Sequence, residues 1–227
     1  MRIYPLLLLI LAVNSIATTA LPEGGLFKPT FLLDDRSFAA GTAFLTSVSV
    51  GHRQENVLVS CFHILDGKSQ EIRAVAALSM TSPQVAFIAQ GALPIKGAKE
   101  LTQSDVGGEV SAFIVKPLPP QAKVLRLATA MPGKGEIVWL YARIFQTAAP
   151  EFYHGHVLSV SEVELKYILD NPELELGGTS GAPILNEKGE GVGINAGGAK
   201  FVGTLIGYAN PVSAFGPKIV EALETSR

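Results

Sequence analysis

The hydrophobic residues of the chain come in short runs, and glycine, proline, asparagine and aspartate separate one run from the next. Each run has the length of a β-strand, and many are rich in Val, Ile and Phe, which favour strands. The runs occupy residues 41–50, 56–62, 85–90, 110–115, 136–142, 155–160, 182–185, 191–195 and 201–208. Because helical patterns do not alternate with these runs, the sequence predicts an all-β sandwich or a pair of β-barrels.

The C-terminus departs from this pattern. After Pro211, apolar residues stand at Phe215, Ile219, Val220 and Leu223, which is the spacing of one face of an α-helix. The sequence therefore predicts a C-terminal helix that packs on the last barrel.

Residues 116–121 read Lys-Pro-Leu-Pro-Pro-Gln and form a predicted linker. Closely spaced prolines do not fit a central strand, because proline lacks the N–H group that the sheet requires. This linker divides the chain into an N-terminal β-barrel, residues 21–120, and a C-terminal β-barrel with the helix, residues 121–227.

The first 20 residues have the composition of a signal peptide. Arg2 precedes an apolar run over residues 3–13, and small residues lead to Ala20, after which cleavage is expected. The run is shorter than the roughly 20 apolar residues that a membrane-spanning helix needs. The sequence therefore predicts a secreted or periplasmic protein with no membrane association after the signal peptide is removed.

Composition and charge exclude several classes of protein. Hydrophobic residues make up 48% of the chain and charged residues 17%, which excludes intrinsic disorder. The 18 basic and 20 acidic residues give a net charge of -2, and the basic residues are scattered, so we predict no nucleic-acid partner. The single cysteine, Cys61, excludes an intramolecular disulfide, and we interpret it as a packing residue.

A glycine-rich segment carries the most specific motif of the chain. Residues 178–183 read Gly-Thr-Ser-Gly-Ala-Pro, and the glycines around Ser180 permit the tight turn that a nucleophilic hydroxyl needs. An ordinary glycine-rich hairpin turn is the alternative. The segment resembles the serine motif of chymotrypsin/trypsin-like proteases. This resemblance implies that Ser180 is the nucleophile and that the N–H groups of Gly178 and Ser180 form the oxyanion hole.

A histidine follows one of the predicted strands. Residues 57–65 read Val-Leu-Val-Ser-Cys-Phe-His-Ile-Leu, and residues 41–45 before them read Gly-Thr-Ala-Phe-Leu. Both segments resemble strands of the same family, and the resemblance implies that His63 is the general base. Cys61 and Phe62 stand where the family usually carries alanines. On its own, His63 would be interpreted as a packed histidine at a strand end.

Two carboxylates compete for the third member of the triad. The resemblance implies an acidic residue near the start of a strand, where it orients the imidazole. Register favours Glu109, because the apolar alternation of residues 110–115 follows it directly, whereas the family's preference for aspartate favours Asp105. We predict Glu109 and keep Asp105 as the alternative. In either case the chain order of histidine, acid and serine is that of this family.

The same resemblance points to residues that bind substrate. Residues 193–198 are similar to the strand that pairs with an extended peptide, with Ala196 where the family commonly carries serine. Leu174 would lie at the base of the primary specificity pocket, and Gly198 and Ile206 would lie along its walls. The pocket would be apolar, which argues against a preference for Arg or Lys.

A pair of histidines suggests a metal site. His154 and His156 alternate along a predicted strand, so both imidazoles face the same side. The sequence offers no identifiable third ligand nearby, and we therefore predict no metal site and no cofactor.

Taken together, these features predict an all-β protein with two antiparallel six-stranded β-barrels, similar to compact bacterial members of the family, and a C-terminal helix. The resemblance implies an exported serine endopeptidase that cleaves a peptide or protein substrate through an acyl-enzyme intermediate. Thr179 stands where trypsin-like zymogens carry an aspartate, so activation by N-terminal cleavage is not expected. The alternatives are a non-catalytic relative that binds a peptide or partner, and a hydrolase of non-peptide esters. The sequence leaves the oligomeric state open.

Overall fold

The computed structural model describes residues 25–100 and 105–226 of the chain. The predicted signal peptide, residues 1–20, lies outside these residues. The described residues form two antiparallel β-structures followed by an α-helix, which confirms the predicted fold class.

The first β-structure is a sheet that curls round on itself. Its strands are β1 (Leu26–Leu32), β2 (Ser37–Ala39), β3 (Ala43–Val50), β4 (Arg53–Ser60), β5 (Ala74–Ser79), β6 (Val85–Gln90) and β7 (Ser111–Ile114). Six of them follow the order β6–β5–β1–β3–β4–β7, and the short strand β2 pairs with β1 off this path. An antiparallel bridge between Ala92 and Phe113 joins the two ends of the path, so this sheet is nearly closed. It is called the first barrel below, although it has seven strands rather than the six predicted and its strand path is not fully closed.

The second β-structure is a closed barrel of six strands. Its strands are β8 (Ile137–Ala142), β9 (Glu151–Val160), β10 (Leu165–Leu169), β11 (Pro183–Leu185), β12 (Gly191–Phe201) and β13 (Thr204–Pro211). They close in the order β10–β13–β12–β11–β8–β9. Leu140, Tyr167 and Ile184 are fully buried in its core. The predicted linker, residues 116–121, lies between β7 and β8.

Four strands lie where the hydrophobic pattern predicted none, namely β1, β2, β5 and β10. Strand β1 contains Lys28 and Pro29, which break an apolar run, and yet it pairs with β2, β3 and β5. Strand β5 is rich in alanine, which has low strand propensity. Pairing with neighbours on both sides therefore outweighs local preference in these segments.

The α-helix α1 (Val212–Thr225) begins directly after β13. It buries Phe215, Ile219, Ala222 and Leu223, and these side chains belong to the hydrophobic cluster that fills the first barrel. The helix contacts β3 as well as β12 and β13. It therefore contacts the last barrel, on which the sequence predicted it to pack, and also the first barrel, at the junction of the two. Within the described residues, every helix is too short or too polar to span a membrane.

Removing the largest side chain of this helix tests its role at the junction. Phe215 is fully buried, so Phe215→Ala should lower the free energy of unfolding by about 3–5 kcal/mol in chemical denaturation. Glu221→Ala, on the exposed face of the same helix, should change it by less than about 0.5 kcal/mol. Equal effects of the two substitutions would show that the helix is not part of the core.

Candidate active site

Ser180 lies on the loop from β10 to β11, and this loop docks onto the first barrel. The N–H group of Thr42 donates to the carbonyl oxygen of Ser180 at 2.8 Å, and Thr42 Oγ1 donates to the carbonyl oxygen of Gly178 at 2.8 Å. Thr42 immediately precedes β3, so both bonds cross from one barrel to the other. The position of Ser180 is therefore set by packing between the barrels.

The loop requires glycine on both sides of the serine. Gly181 has a φ of +89°, and a Cβ atom there would collide with the carbonyl oxygen of Thr42 and with Ser60 Oγ. Gly178 has a φ of +84°. Among the described residues, the N–H groups of Gly178 and Ser180 donate to no protein acceptor. Both donors are thus available to a group that binds beside the Ser180 hydroxyl.

His63 begins the 3₁₀ turn His63–Leu65, shortly after β4 ends. Its Nε2 atom lies 3.0 Å from Ser180 Oγ, and its Nδ1 atom lies 2.8 Å from Glu109 Oε2. An ionised carboxylate only accepts hydrogen bonds, so Nδ1 carries the ring proton. Nε2 is then left as an acceptor for the Ser180 hydroxyl.

Glu109 is fully buried two residues before β7 begins. Its Oε2 atom also accepts the backbone N–H groups of Phe62 at 3.1 Å and His63 at 3.2 Å. A buried carboxylate is costly unless hydrogen bonds replace its hydration. Here the two backbone N–H groups and the imidazole supply these bonds, so the carboxylate and the ring hold each other in place.

Asp105 occupies a different position. Its Oδ2 atom lies 2.6 Å from Lys99 Nζ, and its Oδ1 atom accepts the N–H group of Gly107 at 2.8 Å. The hydrogen bond from Lys99 holds the pKa of the Asp105 carboxyl below its ordinary value. Glu109, and not Asp105, lies at the Nδ1 side of the His63 ring. The structure therefore does not have the alternative arrangement, in which Asp105 would orient the imidazole.

The two side chains that depart from the family pattern leave this arrangement intact. Cys61 is buried, and its thiol donates to the carbonyl oxygen of Asn195 at 3.0 Å. Burial, together with the nearby carboxylate of Glu109, raises the pKa of the Cys61 thiol well above its usual range. The ring of Phe62 packs against the hydrophobic cluster that fills the first barrel, and it does not interrupt the contact between His63 and Ser180.

Solved structures of serine proteases share the architecture of this chain. A serine endoprotease from Yersinia pestis aligns with a TM-score of 0.60 and 14% identity, covering 89% of this chain and 64% of its own. The active form of the Rv3671c protease from M. tuberculosis aligns with a TM-score of 0.57 and 15% identity, covering 87% of this chain and 80% of its own. The chain has the chymotrypsin-like protease fold.

A third structure with this protease fold is the HtrA-type protease AlgW, solved with a decapeptide. It aligns with a TM-score of 0.54 and 16% identity, covering 83% of this chain and 53% of its own. This chain therefore spans 64% of the length of the Yersinia endoprotease and 53% of the length of AlgW. The sequence itself matches no protein-family model and no curated protein.

Within the protease fold, a neutral hydrogen-bond network anchors the serine loop. Buried Asn195 donates through Nδ2 to Thr179 Oγ1 at 2.9 Å and to the Thr179 carbonyl oxygen at 3.2 Å. The Tyr167 hydroxyl donates to Asn195 Oδ1 at 2.7 Å, and Thr179 Oγ1 donates to the Leu176 carbonyl oxygen at 2.7 Å. Burial raises the pKa of Tyr167, so its hydroxyl keeps its proton. The network holds residue 179 without the ion pair that an aspartate would make.

Sequence reasoning missed Asn195 and Tyr167. The role of Asn195 could have been predicted, because this polar residue ends the hydrophobic run 191–195. A buried amide needs hydrogen-bond partners, so its position indicates a buried hydrogen-bond network. Tyr167 lies in β10, one of the strands that the hydrophobic pattern did not reveal.

The residues predicted to bind substrate lie on β12, β13 and the serine loop. Ala196 is buried where the register between β12 and β13 shifts, Gly198 is exposed further along β12, and Ile206 is half-buried on β13. Leu174 packs against the core of the second barrel. Sequence reasoning missed Leu176, whose Cδ1 atom would lie 2.6 Å from a Cβ atom at residue 198. Roles in specificity stay predictions for all of these residues.

A groove of about 480 Å³ runs beside Gly178. Gly41 and Thr42 line it from the first barrel, and Arg143 and Phe145 line it from the loop after β8. The groove is therefore open to a ligand that also reaches the serine loop.

Within the described residues, two groups of side chains have atoms close enough to share a metal ion. The first group consists of Cys61, His63 and Glu109. The imidazole of His63 already makes hydrogen bonds with the Glu109 carboxylate and with Ser180. The second consists of His154, His156 and Asp170. The sequence argument against a metal site rested on the lack of a third candidate ligand, and the fold supplies one by bringing Asp170 to the two histidines. The absence of a metal site therefore stays an untested prediction.

Removing one hydroxyl tests the anchoring network. Tyr167→Phe leaves Asn195 Oδ1 buried without its donor, so it should lower the free energy of unfolding by about 1–3 kcal/mol in chemical denaturation. Tyr208→Phe is the matched control, because Tyr208 is half-buried on the adjacent strand β13, and it should cost less than about 0.5 kcal/mol. A Tyr167→Phe protein as stable as this control would mean that the network does not stabilise the fold.

Proposed function

We propose that this protein is an exported serine endopeptidase that cleaves peptide bonds through an acyl-enzyme intermediate. One observation carries the proposal, namely the continuous hydrogen-bond chain from Ser180 through His63 to Glu109, with spacings of 3.0 and 2.8 Å. The chain joins a nucleophile, a base and a group that orients the base, which is the arrangement that acyl transfer requires. Export rests on the signal-peptide composition of residues 1–20.

The first half of the reaction follows from the protonation states of these groups. His63 Nε2 accepts the hydroxyl proton as Ser180 Oγ attacks the carbonyl carbon of the substrate. The imidazole becomes positively charged, and the buried Glu109 carboxylate at Nδ1 stabilises this charge. The carbonyl oxygen becomes an oxyanion, which accepts hydrogen bonds from the N–H groups of Gly178 and Ser180.

The second half reverses the proton transfer. The imidazolium gives its Nε2 proton to the leaving amine, the C–N bond breaks, and the acyl group stays on Ser180. Water then enters, gives a proton to His63 Nε2, and attacks the acyl carbon. The bond between this carbon and Ser180 Oγ breaks as the imidazolium returns the proton to Oγ, which releases the acid product and restores the serine hydroxyl.

Two features support a peptide as the substrate. Strand β12 ends in an exposed stretch beyond Gly198, whose backbone could pair with an extended chain. The groove beside Gly178 has room for side chains of such a chain. AlgW, which shares this fold, was solved with a decapeptide, which favours a peptide as the ligand.

The non-catalytic alternative depended on the uncertain acid and on the bulk of Phe62. The contacts of Glu109 and the packing of Phe62 leave little reason to prefer it. Hydrolysis of non-peptide esters uses the same three groups and is distinguished by comparing peptide and ester substrates in the assay below.

Loss of the nucleophile is the direct test of the proposed chemistry. Ser180→Ala should abolish labelling by a fluorophosphonate and lower turnover of an unstructured protein substrate by roughly 10⁴-fold or more. Ser213→Ala, on an exposed turn of α1, is the control and should behave as the unmodified protein. Labelling that persists in Ser180→Ala would refute the proposal. Turnover of ester substrates without turnover of peptide substrates would show that the protein is an esterase and not a peptidase.

The two carboxylates can be distinguished by kinetics. Glu109→Gln would place an amide donor at Nδ1 and favour the wrong ring tautomer, so kcat should fall by roughly 10³-fold or more. Asp105→Asn removes a charge that faces Lys99, and kcat should stay within about twofold. A loss of activity in Asp105→Asn as large as that in Glu109→Gln would contradict the assigned role of Glu109.

A further inference from the structure

Three side chains with metal-ligating atoms converge on the outer face of the second barrel. Strand β9 alternates, so that Tyr153, Gly155 and Val157 point inward while His154 and His156 point outward. The exposed fractions of the His154, His156 and Asp170 side chains are 30%, 46% and 51%. The cluster lies apart from the candidate triad, and none of its members has a part in the proposed mechanism.

Strand pairing brings the third side chain to the two histidines. In the antiparallel pairing of β9 with β10, His156 lies opposite Ile168. Asp170 follows Ile168 by two residues, and it therefore lies opposite His154. The N–H group of Asp170 donates to the carbonyl oxygen of His154 at 3.1 Å. The backbone of the sheet therefore fixes the cluster, although its side chains are solvent-accessible.

The side-chain contacts show that both imidazoles face one carboxylate. His154 Nδ1 lies 2.5 Å from Asp170 Oδ2, and His156 Nδ1 lies 3.2 Å from Asp170 Oδ1. The candidate ligand atoms all lie within 4.8 Å of one another. The Trp139 ring packs edge-on against the His154 ring with centroids 4.6 Å apart, which restricts rotation of this imidazole.

We propose that His154, His156 and Asp170 bind a divalent transition-metal ion, for which Zn²⁺ is the best match. Two imidazoles and one carboxylate are ligands that Zn²⁺ accepts, whereas Ca²⁺ and Mg²⁺ prefer oxygen alone. Ligands at Zn–N and Zn–O distances of about 2.0–2.2 Å in a tetrahedron are roughly 3.4 Å apart. The two imidazole–carboxylate spacings in the cluster, 2.5 and 3.2 Å, are shorter than this value, so the exposed side chains need to move apart by less than about 1 Å to complete the site.

The protons in the cluster balance on binding. Each neutral imidazole moves its proton from Nδ1 to Nε2, which frees the Nδ1 lone pair for the metal, and the Asp170 carboxylate needs no proton loss. The ion takes the place of the two hydrogen bonds to the carboxylate. Water from the open side fills the remaining position. Because Asp170 is the first residue of the loop that leads to Ser180, the bound ion would also tie that loop to β9.

The test is a titration of the purified protein, without a polyhistidine tag, with ZnCl₂ in a calorimeter. We expect one ion per chain, and we expect His154→Ala, His156→Ala and Asp170→Ala each to weaken binding at least tenfold. His52→Ala, which removes an exposed histidine from the β3–β4 turn, and His63→Ala should bind Zn²⁺ as the unmodified protein does. The His63 variant separates this site from the group that contains Cys61.

Thermal unfolding supplies a second readout and controls for folding. Zn²⁺ should raise the Tm of the unmodified protein and not that of the double variant His154→Ala/His156→Ala, whose metal-free Tm should equal that of the unmodified protein. Failure of the unmodified protein to bind Zn²⁺, equal binding by the double variant, or loss of binding in His63→Ala would each overturn the proposal. None of these measurements depends on peptidase activity.

Discussion

The candidate triad is divided between two barrels, so its geometry depends on how closely the serine loop packs against the residues before β3. Thr42 holds the backbone of the loop with two hydrogen bonds, and the missing side chain of Gly181 lets the two segments meet. His63 belongs to the first barrel and Ser180 to the second, and their 3.0 Å contact exists because of this docking. Helix α1 reinforces the docking, since its buried face fills the junction.

Burial determines where charge is kept at this junction. The Glu109 carboxylate is fully buried, and burial removes its hydration, which costs free energy. Three N–H donors offset this cost, namely the backbone N–H groups of Phe62 and His63 and the imidazole of His63. The serine loop is anchored differently, by the neutral side chains of Asn195, Thr179 and Tyr167. A buried carboxylate is therefore found beside the base on which it acts, whereas neutral side chains hold the serine loop in place.

Sequence reasoning reached the features that depend on local chemistry. The glycines around Ser180 indicate a tight turn, and the alternation after Glu109 indicates that this residue lies just before a strand. The strands β1 and β5 were missed because Pro29 and a run of alanines give weak local signals. Their stability comes from pairing with strands that are distant along the chain, which a local pattern does not contain.

By itself, the sequence determined the all-β architecture, the presence of a C-terminal helix and the chain order of histidine, acid and serine. These features are encoded in residue types and their spacing within local segments, and in the order of those segments along the chain. The tertiary structure decided which carboxylate meets His63, how Thr179 is held, and that Asp170 lies beside His154 and His156. Those contacts arise when distant strands pair and the two barrels dock, and packing across such distances has no local signature in the sequence.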